Sequence, residues 1–339
     1  MRDETRTATA GRGSDFAGLA REVVAAGLLR SSHAYYAVRA AVTFGLFAAG
    51  WAAFLLIGDS WWQLLTAVFL AFMFAQVAFL GHDVGHRQVF RGRRATRNAG
   101  LAGNLLIGLG YGWWIDKHNR HHANPNHVDR DPDVGPGALV WTAEQADGRT
   151  GAAGFLSRWQ AVLFFPLCLL EGLNLHVASV RALFQGVVRN PWLEGTLLGL
   201  HFAGYTGALL VTLSPGKALA FAAVHQGLWG LYMGAAFAPN HKGMEMVTGD
   251  DELDFLRRQV LTSRNIRGGP VVDYLLGGLN YQVEHHLFPS MPSRNLRRAQ
   301  PIVRAYCERL GVPYHETGLV DSYRQALAHM HAVGAELRA

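Results

Sequence analysis

The sequence predicts an all-α integral membrane protein with four transmembrane helices in two hairpins and a histidine-rich helical cap on the cytoplasmic side. Half of the 339 residues are hydrophobic and only 17% are charged, below the roughly 25% usual in soluble domains. Four apolar runs reach the roughly 20 residues that a helix needs to cross a bilayer core, and they come in two pairs, each joined by a short polar turn. Sixteen histidines are the third observation, because eight of them gather just beyond these runs.

The remaining composition narrows the classes. A formal charge of +6 would suit nucleic acid, but the basic residues form no block. They fall between the apolar runs, as in a membrane protein whose loops face anionic headgroups, so a nucleic-acid partner is not expected. Cys168 and Cys307 are far apart and imply neither a disulfide framework nor a thiolate metal site. No cleavable signal peptide stands at the start. Met1 to Ser14 is polar and reads as disordered, and Asp15 to Leu29 reads as a short amphipathic helix, either on the membrane surface or as a solvated lead-in. The expected division is an interfacial segment over 1–34, a main domain over 35–315 and a C-terminal cytoplasmic helix over 316–339.

The first hairpin is Tyr36 to Ile57 and Trp61 to Gly81, joined by Gly58-Asp59-Ser60; the second is Leu193 to Leu213 and Ala218 to Ala238, joined by Ser214-Pro-Gly-Lys217. Arginines crowd the segment before Tyr36 and the middle segment from Arg87 to Arg189, whereas the two turns hold only Lys217. The positive-inside rule therefore sets both termini and the middle segment on the cytoplasmic side. Within that segment, Leu101 to Trp114 and Phe155 to Val180 are interrupted by Gly, Arg or Glu and read as interfacial or re-entrant helices. An extra pair of spans is the alternative and leaves the orientation unchanged. Beyond Asn240, Ser293 is expected to cap a helix to Leu310, bent at Pro301 and stopped by Gly311, and Asp321 to cap another to Leu337.

His82 and His86 lie four apart at the end of the second run and share a helix face. Asp83 stands where a zinc protease would need Glu, which argues against that chemistry. His118 precedes His121 and His122 by three and four residues. Neighbours on a helix diverge by about 100°, so an adjacent pair is a poor chelate for one ion and a good one for two. His285 and His286 repeat the device, three and four residues after Gln282. His241 follows the fourth run, beside Asn240, which can ligate directly or hold a water. Eight histidines at one membrane face fit two ions, although imidazole does not say which metal. Asp83, Asp116, Asp131, Asp133 and Glu284 are candidates to orient the imidazoles. His201 and His225 lie inside spans and face the bundle interior or hold a haem; His33, His127, His176, His315, His329 and His331 read as surface or interfacial.

His-x-x-x-His, His-x-x-His-His and Gln-x-x-His-His between two hairpins resemble the membrane fatty acid desaturases. The likeness extends to Asn124-Pro-Asn126, Asp131-Pro-Asp-Val134, Tyr306-Cys-Glu308 and Val312-Pro-Tyr314. The resemblance implies a non-haem di-iron centre held by His82, His86, His118, His121, His122, His241, His285 and His286, with dioxygen as co-substrate. It implies removal of two hydrogens from an acyl chain carried on CoA or a lipid. Gln282, where most desaturases have histidine, resembles the front-end subclass, and it competes with Asn240 or water for any ninth ligand position. Front-end enzymes often carry a fused cytochrome domain, for which the segment before the first run is too short, so electrons are expected from a separate ferredoxin or flavoprotein. Alkane hydroxylases and carotenoid ketolases use similar boxes and remain alternatives, as does a non-catalytic metal- or haem-binding membrane protein.

Overall fold

The computed structural model describes residues 14–249 and 253–338; the polar lead-in Met1 to Gly13, with three of the arginines used for orientation, lies outside them. The helices in chain order begin with α1 (Asp15–Ala25), α2 (His33–Ile57), α3 (Gln63–Gly85), α4 (Arg93–Ile107) and α5 (Tyr111–Ala123). Next come α6 (Ala143–Ala146), α7 (Gly151–Cys168), α8 (Glu171–Ala182), α9 (Pro191–Thr212) and α10 (Pro215–His241). The chain closes with α11 (Phe255–Leu261), α12 (Pro270–Leu275), α13 (Gln282–Leu287), α14 (Ser293–Leu310) and α15 (Leu319–Val333). Two short strands, β1 (Asn265–Ile266) and β2 (Glu316–Thr317), pair in parallel. The chain forms two compact units: a hairpin unit of Ser32–Lys117 with Phe165–Ala236, and a cap unit of Met1–Ser31, His118–Phe164 and Phe237–Ala339.

In the hairpin unit, α2 and α3 have mean hydropathies of 2.0 and 2.2 and are long and apolar enough to cross a membrane. Their turn is closed by Gln63, whose amide donates to the carbonyls of Phe54 and Gly58 at 2.6 and 2.9 Å. Helices α9 and α10 have the length, at 22 and 27 residues, but Glu194, His201, Lys217 and His225 dilute their apolar character, so the described residues give two unambiguous spans where four were expected. The two turns are tied together: Asp59 accepts from the Ser214 backbone N–H at 2.9 Å and its carbonyl from Lys217 at 3.1 Å. Phe54, Leu70, Leu209, Leu213 and Phe221 form the apolar core beneath them.

The interrupted run Leu101 to Trp114 breaks between α4 and α5 at Gly108, whose φ of +67° is the left-handed helix stop that glycine favours. The carbonyls left over at that end are taken by histidines. His176 Nδ1 donates to the Gly108 carbonyl at 2.8 Å and His201 Nδ1 to that of Leu105 at 2.9 Å. The run Phe155 to Val180 likewise breaks, at Leu169 and Leu170, after Pro166 in the last turn of α7.

In the cap unit, α1 packs one face against the core and leaves Arg21, Glu22 and Val24 exposed on the other. It buries Leu19 and Val23 completely among Leu256, Val283, Leu287, Leu296 and Val303, each side chain contributing roughly 1.5–3 kcal/mol. Gly18 permits this approach, since a Cβ there would lie 2.1 Å from the Tyr306 hydroxyl. Two expected caps are corrected. Pro292 occupies the N-cap of α14, with Ser293 already helical, and Gly318 that of α15, with Asp321 in its first turn. In both cases the chain direction before the helix is set by Pro or Gly, and the polar side chain falls one to three residues late. Helix α14 continues through Pro301, where a bend was expected, and its stop at Gly311, φ +67°, is as expected; α15 ends at Val333, short of Leu337.

Candidate metal centre

Three elements of the cap unit carry its clustered histidines. The last two turns of α5 bear His118, His121 and His122, the end of α10 bears His241, and α13 bears His285 and His286. A six-residue helix has no stability of its own, so α13 must be held from outside. Glu284, fully buried, accepts from Tyr314 Oη at 2.7 Å and from Asn265 Nδ2 at 2.6 Å, while Asn265 Oδ1 accepts from the Val283 N–H at 2.9 Å. Burial pushes the Glu284 carboxyl up to about 7, against the hydrogen bonds from Tyr314 and Asn265. Glu284, expected to orient a histidine, instead fixes the backbone that carries two of them. The end of α10 is held similarly by Arg264, 1% exposed, whose guanidinium donates to the carbonyls of Pro239 and Lys242. Burial pulls that guanidinium down to about 10.

The adjacent pairs separate as helical divergence requires. The Nε2 atom of His122 lies 3.1 Å from that of His118 and 3.1 Å from that of His285. One residue earlier on α5, His121 joins His241 and His286, with ring centroids 4.7 to 5.0 Å apart and nitrogens within 4.8 Å of one another. Each adjacent pair thus contributes one imidazole to either trio.

In the second trio every Nδ1 is anchored. His121 Nδ1 donates to Asp131 Oδ2 at 2.9 Å, His241 Nδ1 to the Thr262 carbonyl at 3.0 Å and His286 Nδ1 to Gln259 Oε1 at 2.9 Å. A proton on each Nδ1 leaves the Nε2 lone pair as the atom turned toward the trio. Asp131 is itself fixed by the N–H groups of Asn126 and Asp133 at 2.8 and 2.9 Å. Burial alone would raise its pKa, but the hydrogen bond and charge of His121 outweigh that and hold the carboxyl below its ordinary value. Gln259 also donates to the His122 carbonyl at 3.0 Å, so one side chain ties α5 to His286.

The match to known proteins agrees with this geometry. A family model described as fatty acid desaturase matches residues 59–318. The chain belongs to the fatty acid desaturase family. It is 31% identical over 317 residues to an acyl-lipid (9-3)-desaturase of Physcomitrium patens, covering 90% of this chain and 60% of that protein. It is 28% identical to the Delta(6)-fatty-acid desaturase fat-3 of Caenorhabditis elegans, over 92% of this chain and 73% of the relative. A Delta(8)-fatty-acid desaturase of Euglena gracilis is 29% identical, over 88% and 74%. The chain thus spans between about three fifths and three quarters of these relatives' lengths.

The remaining desaturase motif residues sit as follows. In the hairpin unit, His82 and His86 pack with ring centroids 4.7 Å apart at the end of α3. Gly85 between them lets Trp114 close on the helix, since a Cβ would meet its ring at 2.4 Å. Asp83 binds Arg39 at 2.6 Å and Tyr36 at 3.1 Å, and approaches His82 Nδ1 only to 3.4 Å; Asp116 is half-buried on α5. In the cap unit, Gln282 Nε2 lies 2.8 Å from His241 Nε2, and Asn240 Nδ2 donates to Gln282 Oε1 at 3.3 Å. Two histidines read as surface or interfacial are buried: His127, bonded to the Gly249 carbonyl, and His176. The site also uses residues that sequence reasoning passed over, namely Asn126, Gln259, Thr262, Arg264 and Asn265. Asn126 had a signal in the Asn-Pro-Asn motif; its amide reaches the His241 carbonyl at 3.0 Å.

Trios of imidazoles with Nδ1 anchored and Nε2 converging suit a transition-metal ion. The donor set fits the metal centre that the family implies.

Proposed function

We propose that the protein desaturates fatty acyl chains at a di-iron centre. The supporting observation is the division of His121/His122 and His285/His286 between two convergent trios, which provides for two ions side by side. His118, His122 and His285 would hold one iron and His121, His241 and His286 the other; His82 and His86 are proposed as further ligands on the family's His-x-x-x-His pattern. When bound, the irons supply the oxidising power to break unactivated C–H bonds with dioxygen, which no side-chain acid or base provides. The chain's own residues orient the imidazoles through Asp131, Thr262 and Gln259 and exclude water, the second trio being at most 5% exposed.

The apolar runs support a multi-pass arrangement, and the arginines between them favour the site and both termini on the cytoplasmic side, where basic residues would hold the polar end of an acyl-CoA or acyl-lipid. Electrons would come from a ferredoxin or flavoprotein. Relatives named for Delta(5), Delta(6) and Delta(8) positions, together with Gln282, favour insertion on the carboxyl side of an existing double bond.

Expression in a host lacking the activity, followed by fatty-acid profiling with double-bond localisation, tests this. A new double bond on the carboxyl side of an existing one is expected. A hydroxylated or oxo product without a new double bond would overturn it.

A further inference from the structure

We propose that Gln282 faces the ion of the His121, His241 and His286 trio with its amide N–H2, as a hydrogen-bond donor, and is not a ligand. The inference rests on the di-iron reading and assigns a residue whose position in the third box suggests coordination. The amide of Asn240 fixes that of Gln282. Asn240 Nδ2 donates to the Leu279 carbonyl at 3.1 Å and to Gln282 Oε1 at 3.3 Å. A backbone carbonyl only accepts. Turning Asn240 over would set two oxygens against each other, so its N–H2 stays toward Gln282, and the Gln282 oxygen stays toward Asn240.

On the other side of Gln282, His241 Nδ1 is spent on the Thr262 carbonyl at 3.0 Å, which leaves a lone pair on Nε2. That lone pair, 2.8 Å from Gln282 Nε2, is the one the ion would take, so the amide's orientation rests on Asn240. The Leu279–Asn240–Gln282 relay therefore sets the orientation. A carboxamide binds metals through oxygen, because its nitrogen offers donors only. Gln282, 4% exposed, therefore has its ligating atom turned away and its donor turned toward the site. There it is a positioning residue: an N–H2 beside the ion stabilises and orients a negatively polarised group.

The test uses the full chain purified in detergent, loaded with ferrous iron and challenged with a ferrous chelator, in wild-type, Gln282→Ala, Gln282→Leu, Gln282→His and His241→Ala forms. Both Gln282→Ala and the bulkier Gln282→Leu should carry as much iron as wild type and resist the chelator within about tenfold, the low end for partners outside the coordination shell. His241→Ala should lose one iron. Mössbauer spectra should show one site altered in Gln282→His, which adds an imidazole, and unaltered coordination in Gln282→Ala. Loss of one iron from both Gln282→Ala and Gln282→Leu, at the level of His241→Ala, would overturn the role assigned to Gln282. Wild-type protein that binds no pair of irons would instead overturn the di-iron reading.

Discussion

Both units bury histidines, and they use them in opposite ways. In the hairpin unit, His176 Nδ1 donates to the Gly108 carbonyl, with Nε2 3.1 Å from the Gln226 side chain, while His201 serves the Leu105 carbonyl. These rings close the end of α4, where backbone acceptors would otherwise be unsatisfied within an apolar bundle. In the cap unit each ring of the second trio gives one nitrogen to a protein acceptor and points the other at its neighbours. Burial and clustering are common to both. What separates a structural imidazole from a candidate ligand is whether the second nitrogens of neighbouring rings converge.

The largest contrast should come from paired substitutions. His121→Ala or His286→Ala is expected to abolish desaturation and remove one iron, whereas His201→Leu should keep both irons and lose roughly 1–3 kcal/mol of stability, the cost of an unsatisfied buried carbonyl. Iron content and thermal unfolding measured on the same samples check this, and a His201 variant that sheds iron would erase the distinction. A smaller effect is expected at the anchors: Asp131→Ala or Gln259→Leu should weaken iron binding by about 10–100-fold without abolishing it, as read by chelator competition. Unchanged affinity in both would mean that the Nδ1 bonds do not matter to the trio. The smallest concerns the support of α13. Tyr314→Phe removes one hydrogen bond from Glu284 and should cost about 1 kcal/mol, seen as a modest fall in denaturation midpoint with both irons kept.

Much of this contrast was legible in the sequence, for definable reasons. Adjacent histidines diverge on any helix, so the sharing of His121/His122 and His285/His286 between two trios follows from local geometry alone. The helix stop at Gly311 and the break at Gly108, in a run interrupted by glycine, are equally local. Of the anchors, Asp131 was legible from its place near the second histidine motif, and the other two were not. Gln259 sits in a seven-residue helix and acts on His122, 137 positions away, and Thr262 contributes a backbone carbonyl, which no residue type reveals. Glu284 was noticed for its place beside the histidines, yet its partners Asn265 and Tyr314 direct it to hold the helix. The caps assigned to Ser293 and Asp321 failed because the turn residues Pro292 and Gly318 set where each helix begins. The same difficulty hid the role of His176, whose partners lie 68 and 50 residues away.

The most direct test of the two-trio account is the iron content of the wild-type full chain purified from an iron-replete host, read with its absorption spectrum. About two irons per chain and no haem band are expected. About one iron or none, or a haem band arising from the buried histidines of the hairpin unit, would contradict it.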